Sequence, residues 1–216
     1  IVVIGGGVMG TSIACELARR RAGKVLVLEK SFLGAGSTGK SGAIIRQHYS
    51  HPLTAGMAQF GLRAFERFTE IVGGPPVFTR TGMVIIVAGQ DRDMLEANLA
   101  MQRGLGIKTN IVSREELRSI DPQAALAEDE VAGFEAEAGY CEALQVVASL
   151  VEASRKLGVE VREETPVTSI LVQGGRVVGV VTPAGTIATR TVVLATGPWA
   201  ARLAEVQPVE EVQYWV

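Results

Sequence analysis

The sequence predicts a mixed α/β fold in which a parallel-sheet domain is interrupted by an inserted antiparallel-sheet domain, and three observations predict it. IVVI, GGGVMG and TSIACELARR run on from one another, which sets a glycine turn between a short apolar strand and an amphipathic helix. VLVLEK at 25–30 then supplies a second strand, and a β-α-β unit of this kind forces a parallel pair with a right-handed crossover. Far along the chain, TVVLATG is another buried strand ending in glycine, so the first sheet resumes after the intervening segment.

Ile13, Leu17 and Ala18 give the first helix an apolar face, and its N-terminus stands above the carboxyl end of the first strand. The stretch from Gly34 to Gly42 is too rich in Gly, Ser and Thr for a regular element and reads as a shaped loop. Residues 53–72 place Leu62, Phe65, Phe68 and Ile71 near one helical face, and GGPP closes that helix. VFTRTGMVIIVA reads as two strands about a turn, 91–103 as a helix, and SREELRSID as a short helix with Ser113 as cap and Glu116 answering three residues later. A helix from Cys141 to Gly158 leads into VEVREET, and ILVQGGRVVGVVTPAGTI then forms a hairpin-like series about a GG turn.

The division that follows assigns 1–75 and 139–206 to a discontinuous nucleotide-binding domain, and 76–138 with 207–216 to part of a second, substrate or cap domain. The chain opens at Ile1 inside a strand and closes at Val216 in a strand-like run, so it is expected to be incomplete at both ends. With 216 residues and 47% hydrophobic content it can bury a core of ordinary size. A formal charge of -2 without a basic stripe excludes a nucleic-acid partner. Cys15 and Cys141 lie far apart and near no metal-type spacing, so neither a disulfide framework nor a metal site is expected, and a reducing compartment suits them. No apolar run approaches the ~20 residues of a membrane span. The expected location is cytoplasmic, or the mitochondrial matrix if a targeting peptide has been removed.

Gly5, Gly7 and Gly10 form GxGxxG around Val8 and Met9: the first glycine permits the turn, the second lets a pyrophosphate approach, and the third allows the helix to pack closely. Amides at the helix start can then bind phosphate. Glu29 ends the second strand about 20 positions on, where a carboxylate can accept bonds from a ribose; the plain alternative is a solvated strand-end side chain. These features suit an NAD(P) or an FAD site equally, since each ligand has an ADP half. GAGSTGKSGAIIR decides further, because its hydroxyls and bare backbone suit a chain running along the diphosphate and ribityl of a flavin dinucleotide.

IVVIGGGVMG, VLVLEK, GAGSTGKSGAIIR and VVLATGPWA together resemble the D-amino-acid-oxidase-like flavoproteins, especially sarcosine oxidases and the β-subunits of related dehydrogenases. That resemblance implies a Rossmann-like FAD-binding domain and oxidation of the C–N bond of a small secondary or tertiary amino acid, sarcosine-, glycine- or proline-like, by hydride transfer to flavin. It also implies a small amino-acid or amine substrate, with other subunits of a dehydrogenase complex as further partners. An electron-transfer subunit that merely holds FAD, or a nicotinamide-dependent dehydrogenase, are the alternatives. On the same resemblance, Gly5, Gly7, Val8, Met9 and Gly10 form the phosphate turn, and Glu29 with Lys30 lies at the ribose. Gly36, Ser37, Thr38, Ser41 and Gly42 form the loop beside diphosphate and flavin. Val167 meets the adenine through its backbone, and Ala195, Thr196 and Gly197 make the second turn. Arg46 resembles the arginine aimed at the substrate carboxylate, which a guanidinium can fork with two bonds. His48, with His51 nearby, and Tyr49 are the remaining catalytic candidates, a loop histidine being able to act as a base or to bond a flavin methyl. Such enzymes run well past 216 residues, and the remainder carries most substrate contacts.

Overall fold

The computed structural model describes residues 1–204. The strand-like run to Val216 and the assignment of 207–216 therefore lie outside the described residues. In chain order the elements are β1 (Val2–Ile4), α1 (Val8–Arg19), β2 (Leu26–Leu28), β3 (Ile44–Ile45), α2 (Pro52–Glu66), α3 (Phe68–Ile71), β4 (Phe78–Arg80), β5 (Met83–Ala88), α4 (Arg92–Gly104) and β6 (Thr109–Val112). They continue as α5 (Arg114–Ile120), β7 (Glu130–Glu135), β8 (Gly139–Cys141), α6 (Ala143–Lys156), β9 (Glu160–Arg162), β10 (Ser169–Gln173), β11 (Arg176–Thr182), β12 (Gly185–Ala188), β13 (Val192–Leu194) and α7 (Ala200–Ala204).

Two compact units result: Ile1–Ser41 with the described residues from Ala143 on, and Gly42–Glu142. Residues 42–75, expected with the nucleotide-binding domain, group by contact with the second unit. The reason is local: β3 is hydrogen-bonded to β8, and α2 touches α4.

The first unit is built on a parallel sheet ordered β13-β1-β2-β9, with Val3 opposite both Val27 and Val193, and Val27 opposite Val161. Strand alternation sends these valines to one face, where Val3, Val27 and Val159 pack with Ala14 of α1. Val2, Ile4 and Leu28 point the other way and pack with Val180 of the separate β10-β11-β12 sheet. Each such side chain contributes about 1.5–3 kcal/mol by leaving water. The residues of α1 that are most buried are Gly10, Thr11, Ala14 and Cys15, with Leu17 and Ala18 at the cluster's margin, so the buried stripe is rotated from the one expected through Ile13. VEVREET joins this parallel sheet as β9, beside β2. Gly174 and Gly175 both take positive φ, +55° and +72°, as the tight turn between β10 and β11 requires.

In the second unit, VFTRTG and MVIIVA do not pair with one another. β4 joins β8 and β5 joins β7, so the two strands belong to separate three-stranded sheets, β3-β8-β4 and β5-β7-β6. The helix expected over 53–72 breaks at Arg67 into α2 and α3; Leu62 and Phe68 are buried, whereas Ile71 is exposed. Leu95 and Leu99 of α4 lie against Gly133 of β7, where an added Cβ would sit 3.2 Å from Leu99 Cδ1. On α5 the Ser113 hydroxyl accepts the Glu116 amide while Glu116 accepts the Ser113 amide, the reciprocal cap read from the sequence.

Candidate functional site

The carboxyl ends of β1 and β13 meet at the point where the sheet's strand order reverses, the usual place for a ligand in an open α/β sheet. Two glycines make the approach possible. Gly5 has φ +111°, and a Cβ there would lie 2.4 Å from the Ala195 carbonyl oxygen. At Gly10 a Cβ would lie 1.9 Å from the Gly5 carbonyl oxygen, so only glycine lets α1 press against the turn. Gly7 caps α1 with no side-chain bond, and the first turn of the helix contains no acidic residue. Met9 is exposed beside it.

Glu29 closes the turn from the end of β2. It is buried, 9% exposed, with Oε2 accepting the Gly6 amide at 2.7 Å and Oε1 accepting the Ser31 amide at 3.0 Å. This is not a solvated side chain. A carboxylate has about four lone-pair sites, so two remain for hydroxyl donors.

The glycine-rich loop is tied to the same turn. Thr38 Oγ1 accepts the Val8 amide at 3.1 Å, and the Gly34 amide donates to the Gly6 carbonyl at 3.0 Å. Val8 therefore gives its amide to Thr38 rather than leaving it for a phosphate, but the Thr38 hydroxyl hydrogen stays free to donate. Lys40 and Ser41 donate their amides to the Ser37 and Thr38 carbonyls, both at 3.3 Å, and Ser37, Ser41 and Gly42 are exposed. The Lys30 ammonium lies 4.7 Å from the centre of the Trp199 ring, and a Cβ on Gly36 would meet that same ring at 3.3 Å. After β13, the Ala195 amide donates to the Ile4 carbonyl at 2.9 Å, Gly197 turns with φ +56°, and the buried Thr196 hydroxyl oxygen has no partner among the described residues. Val167 sits in the connection before β10, not in a strand, and packs with Val2, Ile4 and Leu28. A helix start with no acidic residue in its first turn, a buried carboxylate with spare lone pairs and a hydroxyl after β13 that lacks a partner among the described residues fit a dinucleotide such as FAD.

The catalytic candidates lie in the second unit, following β3. The exposed Arg46 guanidinium stands 5.1 Å over the Tyr49 ring and forms no ion pair among the described residues. A structural salt bridge, the plain alternative to a substrate role for this arginine, is thus absent from those residues. His48 is held by two amide side chains of α4, its Nδ1 3.1 Å from Gln102 Nε2 and its Nε2 3.3 Å from Asn98 Nδ2. Because Gln102 Nε2 also donates to the Tyr49 carbonyl at 3.1 Å, its amide orientation is set, and its second N–H is aimed at His48 Nδ1. Burial lowers the His48 pKa, as does the neighbouring Arg46, against the Gln102 bond. The ring is therefore neutral near pH 7. His51 serves elsewhere, capping α2 with Nδ1 accepting the Leu53 amide at 3.2 Å. Cys15 and Cys141 are free and buried, and burial pushes the Cys141 thiol up.

Three buried residues join this region without having stood out in the sequence. Glu135 Oε1 accepts the Gln47 amide at 2.7 Å and Gln47 Nε2 at 3.2 Å, while Gln102 bridges His48 and Tyr49. Gln102 carries a signal, a polar residue continuing the apolar spacing of Leu95 and Leu99. Glu135 and Gln47 carry none. No group of His, Cys, Asp and Glu suited to a metal occurs among the described residues, and no helix among them is long and apolar enough to cross a membrane.

A model of the FAD dependent oxidoreductase family, DAO, matches residues 1–216. Among curated proteins the chain is 28% identical over 206 residues to a 4-methylaminobutanoate oxidase (formaldehyde-forming) of Paenarthrobacter nicotinovorans, covering 94% of this chain and 25% of that protein. It is 26% identical over 218 residues to a sarcosine oxidase subunit beta of an Arthrobacter species, covering 97% and 54%. Among solved structures, L-proline dehydrogenase from P. horikoshii superimposes with a TM-score of 0.90 at 28% identity, covering 98% of this chain and 56% of that one. The chain thus spans from a quarter to just over half of the length of these relatives.

Proposed function

The chain belongs to the DAO family of FAD dependent oxidoreductases, and on that premise we propose that it holds FAD within a protein that oxidises the C–N bond of a small amino acid of the sarcosine, glycine or proline kind. The observation that carries this reading is the buried Glu29 carboxylate bonded to the Gly6 amide of the glycine turn, with lone pairs left for a ribose. The family match favours FAD over nicotinamide. FAD, when bound, supplies the hydride acceptor for the oxidation.

The chain's own residues divide the remaining work. Gly5, Gly7 and Gly10 let the pyrophosphate come close to backbone, and the α1 N-terminus offers it amides and a favourable dipole. Val8, Met9, Ser37, Thr38, Ser41, Gly36 and Gly42 line its course, with the Thr38 hydroxyl as a donor. Glu29 takes the adenosine ribose, with Lys30 beside it. Val167 takes the adenine by its backbone, and Ala195, Thr196 and Gly197 supply the second turn. Arg46, free of any ion pair among the described residues, binds the substrate carboxylate, and Tyr49 keeps the guanidinium oriented by stacking. His48, neutral near pH 7, can accept a proton only through its Nδ1.

A second reading, an FAD-holding subunit of a multi-subunit dehydrogenase, is favoured by the likeness to a sarcosine oxidase subunit beta. Both are tested on the purified full-length protein. A flavin absorption spectrum, and turnover of sarcosine, glycine or L-proline with an artificial electron acceptor, are the expected results. A colourless protein would defeat both readings. A yellow protein that stays inactive until a partner subunit is added would select the second.

A further inference from the structure

We propose that Glu135 is a positioning residue for the Arg46–Tyr49 segment, acting as the buried hydrogen-bond acceptor that fixes the backbone from which the carboxylate-binding arginine projects. This rests on the reading that Arg46 binds the substrate carboxylate. Glu135 is fully buried at the end of β7, and removing a carboxylate from water costs several kcal/mol unless bonds offset it. The bonds present are directed at this segment: Oε1 accepts both the main-chain and side-chain N–H groups of Gln47, and the His48 main-chain N–H also favours the charged carboxylate. Among the described residues, neither Oε2 nor the buried Gln47 Oε1 has a partner within hydrogen-bond distance. A buried acid with one oxygen unmet is a costly way to hold the Gln47–His48 backbone, unless where that backbone lies matters.

Gln47 sits between Arg46 and His48, and α4 holds the other end of the segment, where Gln102 donates to the Tyr49 carbonyl at 3.1 Å. Arg46 is therefore an exposed cation on a stretch of backbone tied at Gln47 by a strand and at Tyr49 by a helix, with its guanidinium stacked on the Tyr49 ring. A guanidinium that must fork a carboxylate needs its base fixed, because a displacement of about 1 Å at a positioning contact can cost ~100-fold in rate. Burial pushes the Glu135 pKa up, and the Gln47 and His48 bonds and the Arg46 charge act against it.

The test compares Glu135→Met, which keeps the volume but has no strong acceptor, with Glu135→Gln, which keeps an acceptor oxygen without the charge. Glu135→Met leaves two buried Gln47 N–H groups without an acceptor, at a cost in stability, and Glu135→Gln controls for that loss. In the full-length holoenzyme, E135M is expected to raise KM for the amino acid turned over, among sarcosine, glycine and L-proline, by about 10-fold with little change in kcat. Amide exchange at Gln47 and His48 should quicken by a similar factor, while FAD content stays the same. E135Q should restore both. Unchanged exchange in E135M overturns the proposal, and this arm needs no turnover. So does a KM that rises as far in E135Q as in E135M. Arg46→Ala separates the two levels: if R46A raises KM and E135M does not, Glu135 has no positioning role, whereas a silent R46A ends the carboxylate reading and the proposal built on it.

Discussion

Gly6 and Glu29 are joined by a 2.7 Å hydrogen bond from the glycine amide to Oε2, which ties the turn after β1 to the end of β2. The bond has two consequences: it neutralises one amide of the glycine turn, and it presents a buried carboxylate in a fixed orientation. In Glu29→Gln one oxygen and the charge are lost, so either the Gly6 or the Ser31 amide faces an NH2 group. Bonds to a charged group are worth about 1.5–3 kcal/mol, so FAD affinity is expected to fall roughly 10- to 100-fold. Titration of the flavin-free full-length protein with FAD measures this directly, and affinity within twofold of wild type would remove Glu29 from the ligand set.

Gly10→Ala should disturb the fold as well as the ligand. The new methyl would overlap the Gly5 carbonyl oxygen at 1.9 Å, and both partners are backbone, so neither can swing aside. Overpacking of this kind costs about 1–3 kcal/mol or more. Urea denaturation should show a lower midpoint, and flavin content should drop with it. An unchanged midpoint would contradict the close approach of α1 to the turn.

Thr38→Val removes the acceptor for the Val8 amide without changing the side chain's shape, and leaves that N–H without its bond. The expected loss is about 1 kcal/mol of stability, read by the same denaturation, together with weaker FAD binding. Thr38→Ser keeps the hydroxyl and should behave as wild type in both measurements.

The Lys30 ammonium over the Trp199 ring is a cation–π pair that a double-mutant cycle can isolate. At a site this exposed, about 0.5–1 kcal/mol of coupling is expected between Lys30→Met and Trp199→Leu. A coupling of zero would mean that the contact stabilises nothing.

His48 gives a pH dependence whose sign follows from its lowered pKa. The unfolded chain takes up the proton first, near the ordinary value of about 6.5. The contribution of the neutral buried ring is thus complete above that pH and is lost as pH falls through the folded-state value. Wild-type stability should fall more steeply than that of His48→Gln on acidification below about pH 6.5, by at most ~1.4 kcal/mol per pH unit. Denaturation midpoints of the two proteins collected between about pH 5 and 7.5 provide the comparison; parallel curves would place His48 in water.

Much of the first unit is legible in the sequence because its signals are local. The glycine turn needs Gly5 and Gly10 within a few residues of each other, Ser113 and Glu116 of the second unit likewise complete their cap within one helical turn, and Gly174 with Gly175 dictates a tight hairpin. What escapes notice depends on distant partners. Nothing within VFTRTGMVIIVA says that β4 will pair with Cys141 and β5 with Phe134, so adjacent strands read as one hairpin. β9 likewise reads as a lone strand until β2 is beside it. The two-residue β3 carries too little pattern to be seen. At the site, Glu29 is marked by motif spacing and Thr38 by the family resemblance of its loop, but Glu135 is a single acid at the end of a strand, and only its bond to Gln47 gives it meaning.

The register that sets Val2 opposite Val192 also bears on how the molecule is made. β1 and β2 leave the ribosome well before β13, so one flank of β1 has no partner until the roughly 190 residues between them have been synthesised. At about 5–20 residues per second, that interval is roughly 10–40 s. For that time a strand of two valines and an isoleucine carries an open edge, a natural target for a chaperone and a point where slow translation invites aggregation.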